Sequence, residues 1–398
     1  MTATERSGTV HIWRKCTDRA LVSNSRVTVV GRRYYTDNTI SRPEENVRNI
    51  QRKSFLITAT AALLATTLLA SGCASDSGGD ADLSAPLPAT VPPGTSLNIS
   101  VNTARVALET SGELSKLPFT VSSWPAVQAG PDVIQAFRGG SVDVASNAGI
   151  PPIHAHATGL DAKIVGVKVR KTANYQLATA PGSSIRTVQD LRGKKIGFSP
   201  GQAQGVVVLR TLRAAGIDLD DVQLVELNSP QFLTALQARQ IDVAPLGEPT
   251  LTKYLEKYSA QGAGAVRTEA VDALSVLWAP TAVLRDSAKL AAVTEFVRFW
   301  ARGEVWAWEH PQEWIQAYYV RNQEVSPDDG RRILETTDRP YFPNNWDAAV
   351  AWEQETIDLV TASGFFGDSF DADELFDRRF ENIAAEAVTA PYRTQEAQ

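Results

Sequence analysis

Ten residues, Ala136-Phe137-Arg138-Gly139-Gly140-Ser141-Val142-Asp143-Val144-Ala145, have a counterpart 99 positions downstream, at 235 against 136: Ala235-Leu236-Gln237-Ala238-Arg239-Gln240-Ile241-Asp242-Val243-Ala244. In each copy a helix runs out, the chain turns on glycine or polar residues, and a short apolar strand follows, ended by a loop carrying proline (Pro151-Pro152 or Pro245). A unit that occurs twice predicts two lobes of one design. Strands alternate with helices around both copies, so each lobe is expected to be α/β, a mainly parallel sheet flanked by helices. Ligands of such sheets sit outside the carboxyl ends of the strands, which places the expected cleft between the lobes.

The stretch from Val188 to Pro249 is the more informative copy. It opens V-Q-D-L-R-G-K-K-I-G-F-S-P-G-Q-A-Q-G, read as a short helix ending at Gly193, a buried strand Lys195 to Phe198, and a glycine-flanked turn into a helix beginning near Gln202. That order aims a helix N-terminus outward at a strand end. Its unpaired amides and the positive end of its dipole suit a small anion.

A chain of 398 residues, 43% hydrophobic and 21% charged, can build two domains plus extensions. The net charge of −6, with scattered rather than clustered basic residues, excludes a nucleic-acid surface. The two cysteines, Cys16 and Cys73, have no C-x-x-C or Cys/His ligand spacing, so no metal site and no disulfide framework is expected. No G-x-S-x-G, H-E-x-x-H or Walker-type phosphate loop occurs, and no cofactor is expected.

Residues 48–73 combine a basic start, R-N-I-Q-R-K, an apolar run from Phe55 to Ala70 and the small residues Ser71-Gly72 before Cys73. The run is short for a bilayer-spanning helix of about 20 residues, which favours an export signal over an anchor. The ending resembles a bacterial lipobox, in which the cysteine becomes the lipidated first residue. Residues 1–47 fit poorly before such a signal and are expected to be untranslated or a disordered extension. Residues 74–95, rich in Ser, Gly and Pro, read as a flexible linker.

The folded body is expected from residue 96: 96–183 with 274–390 as lobe one, including a C-terminal helical brace, and 184–273 as lobe two. The loop P-G-S-S-I-R at 181–186 reads as the crossover, and Leu274 to Leu284 as the return to lobe one. Strand Ile241 to Ala244 is expected to stop at Pro245. Trp300, Trp306, Trp308 and Trp314, on a helical stretch broken by Gly303 and Pro311, are read as packing.

An exported lipoprotein signal, two α/β lobes, D-L-R-G-K-K-I-G-F at 190–198 and the paired S-V-D-V-A and Q-I-D-V-A segments together resemble the substrate-binding proteins of ABC importers. The group most resembled serves aliphatic sulfonates, taurine, nitrate and thiamine precursors. The resemblance spans about Leu97 to Phe380 and implies a two-lobe periplasmic binding protein-like fold of type II. It implies a small anionic or zwitterionic solute, permease and ATPase partners, a lipid anchor at Cys73 on the extracytoplasmic face, and a monomer without enzymatic activity. Candidate contacts are the strand-end residues Asn102, Thr103, Trp124, Ser146, Asn147, Gly149, Gln202, Ala203, Gln204 and Glu248. The Ala203 and Gln204 amides would hold an oxyanion. Glu248 reads either as a partner for a ligand ammonium or as a helix-cap carboxylate. The alternatives are a binding protein of the same fold for a thiamine-precursor pyrimidine or nitrate and, after it, a pyrimidine-making enzyme of that fold, for which His154 and His156 follow the first-lobe loop.

Overall fold

A computed structural model describes residues 83–127 and 130–393. The signal, Cys73, Cys16 and the first part of the linker lie outside them. Among the described residues ten strands form two sheets: β1 (Ser96–Ser100), β2 (Thr120–Ser123), β3 (Val144–Asn147), β4 (Ala162–Val169), β5 (Tyr175–Thr179), β6 (Lys195–Phe198), β7 (Gln223–Glu226), β8 (Val243–Gly247), β9 (Ala265–Arg267) and β10 (Leu274–Pro280). Their orders are β2-β1-β3-β10-β4 and β7-β6-β8-β5-β9. Each sheet is mixed. In the first, β1 pairs parallel with β2 and β3, while β10 runs antiparallel between β3 and β4. In the second, β6 pairs parallel with β7 and β8, and β5 runs antiparallel between β8 and β9. β10 is buried at every position, as a central strand covered on both faces must be, and its Leu-Ser-Val-Leu-Trp run supplies the apolar side chains for that.

The repeat is reproduced bond for bond. Asp143 accepts from the Asn98 amide (2.7 Å) and its own amide donates to the Asn98 carbonyl (2.8 Å). Asp242 does the same to Lys195, at 2.8 Å in both directions. The aspartate of each Val-Asp-Val or Ile-Asp-Val segment thus fastens its own strand beside its parallel neighbour, β1 in the first lobe and β6 in the second, satisfying backbone groups left over at the sheet margin. The turn before it passes through the left-handed region in both copies, at Gly140 (φ +66°) and at Arg239 (φ +55°).

The structure differs from the sequence reading in four places. β5 belongs to the second sheet, so the lobes are joined at 170–174 and 268–273 rather than at 181–186; the Arg170 amide ties the two crossings by donating to the Ala273 carbonyl (2.7 Å). Strand periodicity identifies a strand but not the sheet that accepts it. Pro245 lies inside β8, opposite Leu177 of β5 and past Val243, where β8 is in register with Ile196 of β6, so the strand does not stop at the proline. Gly303 does not break its helix, which runs unbroken over Ser287–Glu309; a Cβ there would stand 3.4 Å from Ala107, so glycine lets helix Asn102–Ser111 approach closely. Residues 83–95 are docked rather than loose: Leu83, Leu87 and Val91 pack on the core, and Arg379 Nη1 donates to the Ala85 carbonyl (3.1 Å). Trp300 and Trp314 are buried as packing residues.

Candidate functional site

The carboxyl ends of β1, β2 and β3 and those of β6, β7 and β8 carry the loops where the candidates lie. In the first lobe Asn102 Nδ2 donates to Asn322 Oδ1 (2.9 Å), and Thr103 Oγ1 donates to Glu304 Oε1 (3.5 Å). Glu304 also receives Lys168 Nζ (2.6 Å), a largely buried ion pair in which desolvation holds the ammonium below its usual pKa against the pull of Glu304. Trp124 is half-buried against Phe296, ring centroids 6.4 Å apart. Asn147 Oδ1 accepts from Trp278 Nε1 (2.8 Å), and Ser146 beside it is half-buried.

In the second lobe Gln202 is a tie rather than a free donor. Its Oε1 accepts from Ser199 Oγ and from the Ser229 amide (2.8 Å), and its Nε2 donates to Ser229 Oγ (3.0 Å). This welds the loop after β6 to the loop after β7. Helix Ala203–Ala214 then starts with Gly205 pressed on the Ser199 carbonyl, a place no Cβ can occupy. Among the described residues, the Ala203 and Gln204 amides have no acceptor, as the first turn of a helix leaves them. Glu248 is bonded within the protein. Its Oε2 accepts from the Thr252 amide (3.1 Å) and hydroxyl (2.6 Å) at the start of helix Thr250–Tyr258, and its Oε1 lies 3.4 Å from Arg332 Nη1. Both oxygens are engaged by the protein itself.

The loops of the two lobes meet. A Cβ on Gly130 would stand 2.9 Å from the Gly201 carbonyl, and one on Gly201 would collide with the His154 ring. Helix Asp347–Ala362 packs on both Ile150–Ala157 of the first lobe and Ala203–Ala214 of the second. From it Glu353, 1% exposed, presses its carboxyl on Gly149. Arg210 of the second lobe reaches the same helix, its Nη2 donating to Thr356 Oγ1 (2.9 Å) and its guanidinium lying 3.9 Å over Trp352. Asp272 comes in from the second crossing. Desolvation, with a smaller contribution from Asp272, pushes the Glu353 pKa up to about 8; desolvation pushes Asp272 to about 6 against the pull of Arg170 and Arg210. Gly149 therefore touches a carboxyl of its own chain.

Sequence reasoning missed Arg210, Asp272 and Glu353. A signal existed for two of them. Arg210 interrupts the apolar run Val206-Val207-Val208-Leu209, and Glu353 stands on the stripe Ala349, Glu353, Ile357, Val360 that an amphipathic helix buries.

Residues 126–314 match the family described as NMT1/THI5 like. A protein of Escherichia coli (strain K12), provisionally named an aliphatic sulfonates-binding protein, is 35% identical over 134 residues, which are 34% of this chain and 42% of that one. The chain thus spans under half the length of that relative. One of Bacillus subtilis (strain 168), named in the same way, is 23% identical over 266 residues, 66% of this chain and 78% of that one. Among solved structures, the alkanesulfonate-binding protein SsuA from Xanthomonas axonopodis pv. citri bound to MOPS superposes with a TM-score of 0.63 at 21% identity, covering 73% of this chain and 99% of that one. Two mixed sheets in the orders given above, with these likenesses, make the chain a periplasmic-binding-protein fold that carries an NMT1/THI5-like region at residues 126–314.

Proposed function

We propose that this chain is an extracytoplasmic solute-binding lipoprotein. It captures a small anionic or zwitterionic solute of the aliphatic sulfonate or taurine type and delivers it to the permease and ATPase of an ABC importer. The observation that carries this reading is the meeting of strand-end loops from two lobes with the Ala203 and Gln204 amides left without an acceptor. A solute touching both lobes favours their closure through its differential affinity for the closed form. The names of the relatives support the sulfonate class. The proposed contacts are Asn102, Thr103, Trp124, Ser146, Asn147, Gly149, Ala203 and Gln204, with Gln202 holding the loop that presents the amides. Glu248 serves the cap and Arg332. Both histidines that the enzyme alternative offered are engaged in packing, His156 stacking on Phe370 at 3.9 Å and His154 lying against Gly201.

The deciding experiment is a thermal-shift panel of taurine, alkanesulfonates, nitrate and thiamine-precursor pyrimidines. A ligand at a hundredfold excess over its dissociation constant adds about 2.7 kcal/mol to the native state. A shift with sulfonates supports the reading, a shift with nitrate or pyrimidines alone reassigns the solute class, and no shift with any of them ends it. Anchoring is tested separately, since Cys73→Ala is expected to move the protein out of the detergent-requiring membrane fraction. An unchanged fraction and mass would remove the lipid anchor.

A further inference from the structure

Three buried side-chain atoms without a hydrogen-bond partner, His154 Nδ1, Arg210 Nε and Glu353 Oε2, lie where the two lobes and helix Asp347–Ala362 meet. Native interiors leave few such groups unpaired, and a cluster of them on facing segments marks a place where a further molecule makes the missing bonds. Arg210 brings a fixed positive charge and an N–H. Glu353 brings a carboxyl 1% exposed that faces Arg210 on helix Ala203–Ala214 and Asp272 on the second crossing; Arg210 in turn feels Glu355 and Arg213, and Asp272 feels Arg170 on the first crossing. The Trp352 ring lies 3.9 Å from the Arg210 guanidinium, and beyond the end of the same helix Phe365 lies 4.4 Å from Phe198 of the second lobe and Phe366 stacks at 5.3 Å on His154 of the first. A charged fork and a hydroxyl beside aromatic faces fit an oxyanion with an apolar tail.

We propose that Arg210 and Glu353 form the subsite for the solute's anionic head group, Arg210 pairing with its charge and Glu353 donating its hydroxyl hydrogen to one of its oxygens. This rests on the solute-capture reading. A carboxylic acid kept neutral in an apolar site is a strong donor to an anion, while the ionised form repels it. Burial holds the proton on Glu353 to about pH 8, so binding is strong below that pH and weakens above it. His154 is held below its usual pKa by burial and by Arg138.

The test is titration calorimetry of 1-butanesulfonate on wild type, Glu353→Gln, Glu353→Ala, Arg210→Gln and Arg210→Lys, at about pH 6.5 and about pH 9. Wild-type affinity is expected to fall roughly tenfold between the two. Glu353→Gln keeps a donor that does not ionise, so it should bind within about threefold of wild type at the lower pH and show no pH dependence. Arg210→Gln should lose about thirtyfold or more at both. Melting curves check folding, and if Arg210→Gln does not fold, Arg210→Lys replaces it with an expected loss of about tenfold from the missing fork. Wild-type binding with an unaffected arginine variant, a pH dependence that survives in Glu353→Gln, or binding by Glu353→Ala equal to or tighter than wild type overturns the subsite alone. Failure of wild type to bind any sulfonate overturns the sulfonate assignment of the capture reading and this subsite with it.

Discussion

The two copies of the helix-turn-strand unit make the same hydrogen bonds in different surroundings. Asp143 is 3% exposed and receives Lys289 Nζ at 2.8 Å as well as the Asn98 amide. Asp242 is half-buried and serves the Lys195 amide. The left-handed turn residue is glycine in the first copy and arginine in the second. One backbone requirement is thus met twice, with the first lobe relying on burial and charge and the second tolerating a less favourable residue next to solvent. Identical geometry does not imply identical energetic weight.

The first expected effect separates the aspartates. Asp143→Ala leaves a buried amide and a partly buried ammonium without a partner, at a cost of about 2–3 kcal/mol. Asp242→Ala should cost about 1 kcal/mol. Urea unfolding of both variants checks this, and equal losses would mean that surroundings contribute nothing to this bond.

Between the lobes the expected effect depends on pH. Glu353 holds its proton to about pH 8, whereas an unfolded glutamate loses it near pH 4.5. The native state therefore binds more protons across that window, and stability falls as pH rises through it, with Asp272 adding a smaller loss of the same sign up to about pH 6. Melting temperatures from pH 5 to pH 9 should decline, and Glu353→Gln should remove most of the decline above pH 6, on the order of 3 kcal/mol. A curve unchanged by the variant would show that the seam does not titrate.

The smallest effect tests the turn. Gly140→Ala should cost about 1 kcal/mol, the steric cost of a Cβ in the left-handed region. Arg239→Gly should change stability by under about 1 kcal/mol, because relief of that cost is offset by the freedom glycine gives the unfolded chain. Thermal unfolding of the pair distinguishes them, and an Arg239→Gly variant losing more than Gly140→Ala would show that the arginine side chain holds the second turn.

What could be read from the sequence followed the range of the forces involved. The strand Lys195–Phe198 and the returning strand from Leu274 are apolar runs between clear turn signals, and the structure has both where expected. The repeat exposed the two-lobe plan because a local backbone requirement leaves a local pattern. The sheet that accepts Tyr175–Thr179 is decided by pairing with residues near 245 and 266, which no window around position 175 contains. The strand-end loops were identifiable, but what their side chains do was not. Gln202 and Glu248 spend their polar atoms on Ser229, Thr252 and Arg332, partners brought in by the tertiary fold. Arg210, Asp272 and Glu353 gather from three distant segments, and only their placement among apolar neighbours hinted at it.

The C-terminal segment belongs to neither sheet yet grips both lobes. Arg332, on a helix packed against Ile315–Asn322, donates to Thr252 Oγ1 (2.5 Å) in the second lobe, and Thr356 accepts from Arg210 further along. Two covalent crossings on one side and these clasps on the other turn the chain into a closed ring of links. Separating the lobes then means unfastening a clasp as well as bending the crossings. Arg332 ties the second lobe to the C-terminal segment from outside the proposed contacts, whereas Arg210, the other clasp, is itself part of the proposed head-group subsite.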